Sequence, residues 1–255
     1  MRDGGWLLPI LATGALIALW KAGVTLGGLS PFVLPPPEAV LAASLDLLAR
    51  PATWAHLGST ATACLAGFAI AALVGMGLGI LLARVPWCDR AFYPLVVAFQ
   101  GVPKIALVPL FILWLGFGMA TRIAIAATIA LFPVVVATRS GLRAAEARHH
   151  DVLRLMGARP GQRLVLVDLP GLLPHLLTGL EIAIMQSFAG ATVAEFLAGR
   201  SGLGHLVVVS LQELRVAEAF GVVLIQSALG LCFYALVPLL RRLLLPWQAA
   251  AVQRY

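Results

Sequence analysis

Residues 139–171 read RSGLRAAEARHHDVLRLMGARPGQRLVLVDLPG and form the main polar interruption in a chain that is otherwise apolar. We expect this stretch to be where the protein meets water and a soluble partner. Residues 144–156 carry good helix formers, and Gly157 stands where a helix prefers a left-handed residue after its end. Pro160 suits the first position of a second helix, which should end at Leu169 because a proline follows. The sequence therefore predicts two short helices joined by a glycine corner. Six arginines border them: Arg139, Arg143, Arg148, Arg154, Arg159 and Arg163.

The composition excludes a soluble globular domain. Of the 255 residues, 61% are hydrophobic and 11% are charged, and the mean hydropathy is +0.97, which is typical of a polytopic membrane protein. A net charge of +7 is compatible with nucleic-acid binding. However, the arginines lie between apolar segments without interleaved aromatic residues, so membrane orientation accounts for them better. The three cysteines show neither paired nor metal-ligand spacing, so we expect no disulfide framework and no zinc site.

The apolar segments predict an all-α protein with six transmembrane helices in a single domain of residues 1–255. A retained first helix is favoured over a signal peptide, because only Arg2 charges the residues before it and no clear cleavage site follows. A short amphipathic helix over Glu38–Leu48 is expected after the first span, and a re-entrant or amphipathic piece over residues 196–217 before the last. The predicted spans are residues 6–26, 57–83, 92–115, 123–138, 172–195 and 219–240.

The basic residues predict the orientation of the chain in the membrane. With six spans, 12 of the 18 Lys and Arg residues fall on the side of the 139–171 loop, four fall on the opposite side, and two lie within spans. Cytoplasmic loops carry the excess of basic residues. The sequence therefore predicts a cytoplasmic loop and cytoplasmic termini.

Two prolines interrupt the third predicted span. Pro103 and Pro109 lie six residues apart at membrane depth, so the carbonyl groups that they leave unpaired must face protein or a water-filled cavity. Lys104 lies between the prolines, and an ammonium group would be costly against lipid. Lys104 and Gln100 could line a solute path and favour an anion. Alternatively, Lys104 could reach toward an interface or pair with a buried acid.

The fifth predicted span is unusually polar. Glu181, Gln186 and Glu195 would have to face the interior of the bundle, which makes them candidates for the same path. A satisfied acid near the outer end of the span is an equally good interpretation of Glu195. Pairing of Lys104 with Glu181 or Glu195 also remains open.

The spacing within residues 139–171 resembles the EAA loop of binding-protein-dependent ABC importer permeases. In that loop an acidic residue, a glycine and an Ile/Val-x-Leu-Pro element follow one another at fixed distances, as Asp151, Gly157 and residues 167–170 do here. An ordinary loop that is basic only because of membrane orientation would explain the arginines but not this spacing.

Three further stretches are similar to the same family. The residues from Pro103 to Gly118 are similar to its third-span signature. The LPPPEAV segment at 34–40 and the VAE and SGLG elements at 193–195 and 201–204 resemble its sulfonate/taurine/nitrate branch. The resemblance covers roughly residues 35–240.

The resemblance implies the type I ABC importer permease (MetI-like) fold in the bacterial inner membrane. It also implies the partners: two ABC ATPase subunits, a second permease copy forming a homodimer, and an extracytoplasmic substrate-binding protein that delivers a small anion such as a sulfonate, taurine or nitrate. ATP and Mg would be bound by the ATPase, and no cofactor by this chain. The residues implied to contact the ATPase are Asp151, Val152, Leu153, Met156, Gly157, Ala158, Leu169 and Pro170. The candidate path residues are Gln100, Pro103, Lys104, Pro109, Glu181, Gln186 and Glu195.

Motifs for catalysis are missing from the sequence. It contains no G-x-x-x-x-G-K-[ST] nucleotide loop, no H-E-x-x-H and no G-x-S-x-G. His149 and His150 are neighbours and would point about 100° apart on a helix, which makes them a poor chelate. We therefore expect a non-catalytic transmembrane subunit. The competing hypothesis is a self-contained secondary transporter or channel that uses Lys104, Glu181 and Glu195 as an ion relay.

Overall fold

The structure, a computed structural model, describes residues 7–144, 153 and 155–244. These residues are almost entirely helical, and no strand occurs among them. In chain order the helices are α1 (Leu7–Leu26), α2 (Pro37–Ala49), α3 (Pro51–Arg84), α4 (Pro86–Gln100), α5 (Val108–Leu115), α6 (Met119–Ala144), α7 (Pro160–Arg163), α8 (Leu169–Ala198), α9 (Leu203–Gln212) and α10 (Val216–Leu244). A 3-10 turn over Lys104–Leu107 precedes α5, and a π-helical segment over Leu164–Asp168 precedes α8.

The prediction of six membrane spans is confirmed, with one of them broken. Five helical stretches are long and apolar enough to cross a membrane. The sixth crossing is the pair Pro86–Gln100 and Lys104–Leu115, which is bent by 95° at the break. The break falls at Pro103, as expected of a residue that cannot continue the backbone hydrogen bonding of a helix.

Helices α3, α6 and α8 form the centre of the bundle. One hydrophobic cluster combines buried side chains from all three helices, Ala63 of α3, Ala126 of α6 and Ile184 of α8. Glycines allow the close approach: a Cβ added at Gly67 would lie 2.6 Å from the Ala126 Cβ, and one added at Gly79 would lie 2.5 Å from the Thr138 Cβ. Small residues on α3 therefore position α6, and with it the arginines near both of its ends.

Helix α10 packs antiparallel to α8. Gln226 donates a hydrogen bond to the Thr192 hydroxyl at 2.6 Å, and Arg241 donates to the Thr178 hydroxyl at 2.9 Å. The end of the bundle where α3 and α6 end and α8 begins is called the loop end here. The opposite end, where α3 and α6 begin and α8 ends, is called the far end. Helix α1 lies at the periphery, and most of its side chains are exposed.

Several helices extend beyond the predicted spans. Helix α3 begins at Pro51 rather than at residue 57, and α6 covers 119–144 rather than 123–138. The predicted limits of the fourth span were placed at Arg122 and Arg139 because charged residues usually end a span. Both arginines are instead helical and have carboxylate partners inside the protein, so their charges do not end the helix.

The predicted end of the second loop helix at Leu169 is wrong. Helix α7 starts at Pro160 as expected, but the chain continues through the π-helical segment directly into α8. Pro170 is the second residue of α8. The wider π turn before it accommodates the proline ring without a break in the helical path. The returning side of the loop is therefore continuous with a central helix.

Candidate functional site

A cavity of about 520 Å³ lies beside the broken third crossing, between α4, α6 and α8. Its wall carries amide, hydroxyl and imidazole groups together with one ammonium group. None of the described residues that line it is acidic. The polar lining residues are Gln100, Lys104, Ser140, His175, Thr178 and Gln186. Such a wall offers hydrogen-bond donors and positive charge to whatever occupies the cavity.

Lys104 reaches this cavity because the helix breaks around it. Pro103 caps the 3-10 turn that Lys104 begins, and Pro109 lies in the first turn of α5. The Lys104 ammonium donates to the Gln100 carbonyl at 3.2 Å and lies 5.8 Å from the centre of the Phe132 ring. The Gln100 carbonyl and the Lys104 ammonium are thus hydrogen-bonded to each other at the cavity wall.

Gln186 connects this cavity with two neighbouring ones. One, of about 440 Å³, lies on the other side of the break and is lined by residues 100–105. The other, of about 510 Å³, is lined by Glu181 and Tyr234. Of the path candidates, Gln100, Lys104 and Gln186 therefore share one cavity, Pro103 lines the neighbouring one, and Pro109 shapes the break.

Among the residues that the structure describes, Lys104 does not pair with a buried acid. Glu181 pairs with Arg241 at 3.6 Å, and Glu195 pairs with Arg122 at 3.5 Å. Arg241 directly follows the predicted sixth span, whose limits were residues 219–240. The Lys104 ammonium group thus contacts neither of these two acids.

Glu195 is the centre of a polar network at the far end. Its carboxylate is 1% exposed. It accepts hydrogen bonds from the Thr60 hydroxyl at 2.9 Å and from the Gly204 backbone N–H at 2.9 Å, beside the Arg122 guanidinium. A buried carboxylate is tolerated when it is paired and hydrogen-bonded in this way. Glu195 therefore matches the interpretation as a satisfied acid, and it lines none of the cavities described above.

The same network caps the first residues of α9. Beyond the Gly204 N–H, the Leu203 N–H donates to the Thr60 hydroxyl at 2.8 Å and the Gly202 N–H donates to His56 Nδ1 at 3.0 Å. Gly202 has φ +106°, and a Cβ there would lie 2.1 Å from the Glu195 carboxylate. The SGLG element is thus explained by a carboxylate that approaches the backbone. The sequence analysis did not identify Thr60 and Arg122 as partners of Glu195. The only signal for such partners was the presence of charged residues within apolar segments.

Of the residues implied to contact the ATPase, those that the structure describes lie at the loop end. Asp151 and Val152 lie outside the described residues. Gly157 has φ +71°, as predicted for the glycine corner, and the Ala158 N–H donates to the Leu153 carbonyl at 2.9 Å. Met156 is 76% exposed, whereas Leu169 and Pro170 belong to the first turn of α8.

Leu155 was not among the predicted contact residues, yet it is the more exposed neighbour of Met156. Its side chain is 90% exposed. Two adjacent apolar side chains at a loop tip are unfavourable in water and typical of a surface that a partner covers.

Ion pairs surround the base of this loop. Arg84, the last residue of α3, contacts the Asp168 carboxylate. Asp89 of α4 accepts hydrogen bonds from Arg139 at 3.0 Å and from Arg143 at 2.8 Å. The Arg139 guanidinium also lies 3.6 Å from the centre of the Tyr93 ring. These pairs join residues that are far apart in the sequence, and no local pattern indicated them.

Comparison with known proteins identifies similar chains. Residues 75–249 match the family model described as the binding-protein-dependent transport system inner membrane component. The chain is 31% identical to the formylaminopyrimidine transport permease protein ThiX of Halalkalibacterium halodurans, over 95% of this chain and 96% of that one. It is 30% identical to the taurine transport system permease protein TauC of Escherichia coli, over 78% and 74% of the two chains.

A solved structure shares the fold. The crystal structure of an amino acid ABC transporter with histidines contains a chain that superposes with a TM-score of 0.61 at 16% sequence identity, covering 74% of this chain and 92% of that one. At this identity the likeness concerns the fold alone. It agrees with the MetI-like permease fold that the sequence implied.

Proposed function

We propose that this chain, which belongs to the family of binding-protein-dependent transport system inner membrane components, is the permease subunit of an ATP-driven importer for a small anionic solute. The observation that carries the proposal is the cavity beside the broken crossing, where Lys104 supplies a cation among neutral hydrogen-bonding groups. The family accounts for the transport, and the chemistry of the cavity wall supports the solute class.

An anion fits the cavity better than a cation. A carboxylate, sulfonate or similar oxyanion would interact favourably with the Lys104 ammonium in a region of low dielectric constant. Gln100 and Gln186 can donate amide hydrogens, and Thr178 a hydroxyl hydrogen, to its oxygens. The names of the relatives cover both taurine and a formylaminopyrimidine, so the solute is assigned here by class only.

The proposed assembly has two permease copies, two ATPase subunits and an external solute-binding protein. In this assembly, the ATPase binds the described part of the loop, with Leu155 and Met156 as exposed apolar contacts. ATP and Mg would bind to the ATPase. The predominance of basic residues on the loop side supports a cytoplasmic loop and cytoplasmic termini in a multi-pass inner-membrane protein.

Coupling requires that the loop fits the nucleotide-bound and nucleotide-free ATPase differently, because a partner can shift an equilibrium only by its differential affinity for the two states. The loop is well placed for this task, since its returning side continues through α7 and the π-helical segment into α8, and α8 contributes Thr178 and Gln186 to the cavity wall.

The competing secondary transporter finds less support in the structure. An ion relay would need Lys104, Glu181 and Glu195 along one path, but Glu195 lies in the network at the far end and lines none of the described cavities. Glu181 is paired with Arg241. Neither acid contacts Lys104.

Reconstitution tests the proposal. Vesicles holding this chain alone should transport nothing uphill, whereas vesicles holding it with its ATPase and supplied with the binding protein should accumulate an anionic solute only when ATP is inside with the ATPase. Uphill transport by the chain alone, driven by a proton or sodium gradient, would support the secondary transporter instead.

A further inference from the structure

The connection between α3 and α4 lies between the two ends of the 139–171 loop. We call the end of α6 the departing root of the loop, and the π-helical segment before α8 its returning root. Helix α3 ends at Arg84, and α4 begins at Pro86, so a single extended residue, Val85, joins the two helices. Because the connection is so short, the end of α3 and the start of α4 must move together. We refer to residues 84–90 as the corner.

One side of the corner is tied to the returning root of the loop. The Arg84 guanidinium contacts the carboxylate of Asp168, whose side chain is 7% exposed. Asp168 is the last residue of the π-helical segment and directly precedes α8. A shift of this segment therefore acts on the end of α3.

The other side of the corner is tied to the departing root. The Asp89 carboxylate accepts hydrogen bonds from Arg139 and Arg143 in the last turns of α6. The Arg139 guanidinium also stacks on Tyr93, one turn further along α4. Charge-assisted hydrogen bonds of this kind are among the stronger polar contacts in proteins, so the first turns of α4 are held by the end of α6.

Helix α4 leads from this corner to the cavity. With 15 residues and a rise of 1.5 Å per residue, it is about 22 Å long. Its last residue, Gln100, and the following Lys104 both line the cavity. A rotation of α4 about the corner would displace both groups.

From these contacts we infer that Arg84, Asp89 and Arg139 are positioning residues that make the corner follow both roots of the loop, so that movement imposed on the loop reaches Gln100 and Lys104 through α4. This inference rests on the proposed function, because it assumes that an ATPase moves the loop. It assigns the transmission of that movement to ion pairs outside both the ATPase contact and the cavity.

The test uses vesicles holding the complete transporter, with ATPase and binding protein, and measures solute uptake per ATP hydrolysed. Asp89→Asn and Arg84→Ala should each lower this ratio at least about fivefold, the lower range of coupling between distant sites, while ATPase association and the midpoint of thermal unfolding change little. The exchanged pair Arg84→Asp with Asp168→Arg should restore the ratio to within about twofold, because it rebuilds the contact with reversed charges.

Arg90→Ala is the matched control. Arg90 lies in the same corner, is exposed, and its Nε donates to the Pro86 carbonyl at 3.4 Å. Its removal deletes the same charge without breaking an arginine–carboxylate pair of the corner, and the uptake ratio should stay at the wild-type value.

The outcomes separate the two proposals. If the wild-type complex shows no ATP-driven uptake, the proposed function and this inference both fall. If the wild-type complex is active and the corner variants keep a normal ratio, or lose hydrolysis and uptake in equal proportion, the inference alone is overturned. Loss of ATPase binding in the variants would also overturn it, since the pairs would then serve docking.

Discussion

The two ends of α6 hold arginine–carboxylate clusters that are built in opposite ways. At the far end, the side chains of Arg122 and Glu195 are 6% and 0% exposed. At the loop end, the carboxylates of Asp89 and Asp168 are buried, but two of their arginine partners are about half exposed. The far end is a desolvated network, whereas at the loop end water reaches Arg84 and Arg143 but little of Arg139, whose side chain is 15% exposed.

This difference predicts different mechanical roles. Any displacement within a desolvated network leaves a buried charge without a partner, which is strongly unfavourable. Half-exposed partners such as Arg84 and Arg143 lose less when they shift, because water replaces part of the contact. The far end should therefore keep one geometry throughout a transport cycle, whereas the loop end can pivot while its buried carboxylates stay held.

The largest expected effect is at the far end. Glu195→Ala should lower the free energy of unfolding in detergent by about 3–5 kcal/mol, because Arg122, the Thr60 hydroxyl and the Gly204 N–H lose their shared acceptor. Denaturant titration of the purified protein measures this loss.

Two matched variants sharpen this prediction. Glu195→Gln keeps an acceptor in place and should cost about 1–3 kcal/mol. Asp89→Ala, the loop-end counterpart, should cost less than Glu195→Ala. Equal losses of unfolding free energy for Asp89→Ala and Glu195→Ala would contradict the predicted difference between the two ends.

The next effect concerns the loop itself. Gly157→Val should abolish ATP-driven uptake while membrane insertion is retained, since a β-branched residue at φ +71° is strained by about 1–3 kcal/mol. The strain would be confined to the loop and would change the backbone turn at Gly157, which the ATPase is proposed to contact. Uptake by vesicles holding the complete transporter gives the measurement.

Gly161→Val serves as the control in the same loop. Gly161 lies in α7, and an added Cβ there would meet open space. Uptake should be preserved in this variant. Equal loss of uptake in both variants, or full uptake with Gly157→Val, would contradict a special role for Gly157.

A smaller effect is expected midway between the two ends. Lys104→Gln should lower anion uptake by about tenfold, equivalent to about 1.4 kcal/mol, because the cavity wall loses its ammonium group. Lys104→Arg should retain most of the uptake. Unchanged uptake by the Gln variant would remove the basis for an anionic solute while leaving both end clusters unaffected.

The smallest effect is expected at the membrane periphery. Lys21 of α1 and Glu38 of α2 form an exposed pair at 3.3 Å, and exposed pairs contribute between about 0 and 1 kcal/mol. Lys21→Ala should therefore leave the unfolding free energy within about 1 kcal/mol of wild type. A larger loss would mean that exposure alone does not separate strong pairs from weak ones in this protein.

The sequence by itself determined those features that depend on neighbouring residues. Hydropathy identified the crossings, because each helix must present apolar side chains along its own length. Pro103 indicated the break in the third crossing, since proline acts on the turn that contains it. Gly157 indicated a left-handed backbone turn for the same local reason, and the spacing around it indicated the family.

Only the tertiary structure decided which charges meet. Arg122 and Glu195 are 73 residues apart, and Asp89 and Arg139 are 50 residues apart. Arg122 and Arg139 could be read from the sequence only as the limits of a span, because the cost of burying a charge depends on its partner. That partner lies on another helix, α8 for Arg122 and α4 for Arg139. Local sequence therefore specifies where the chain crosses the membrane, and packing specifies which charged side chains pair.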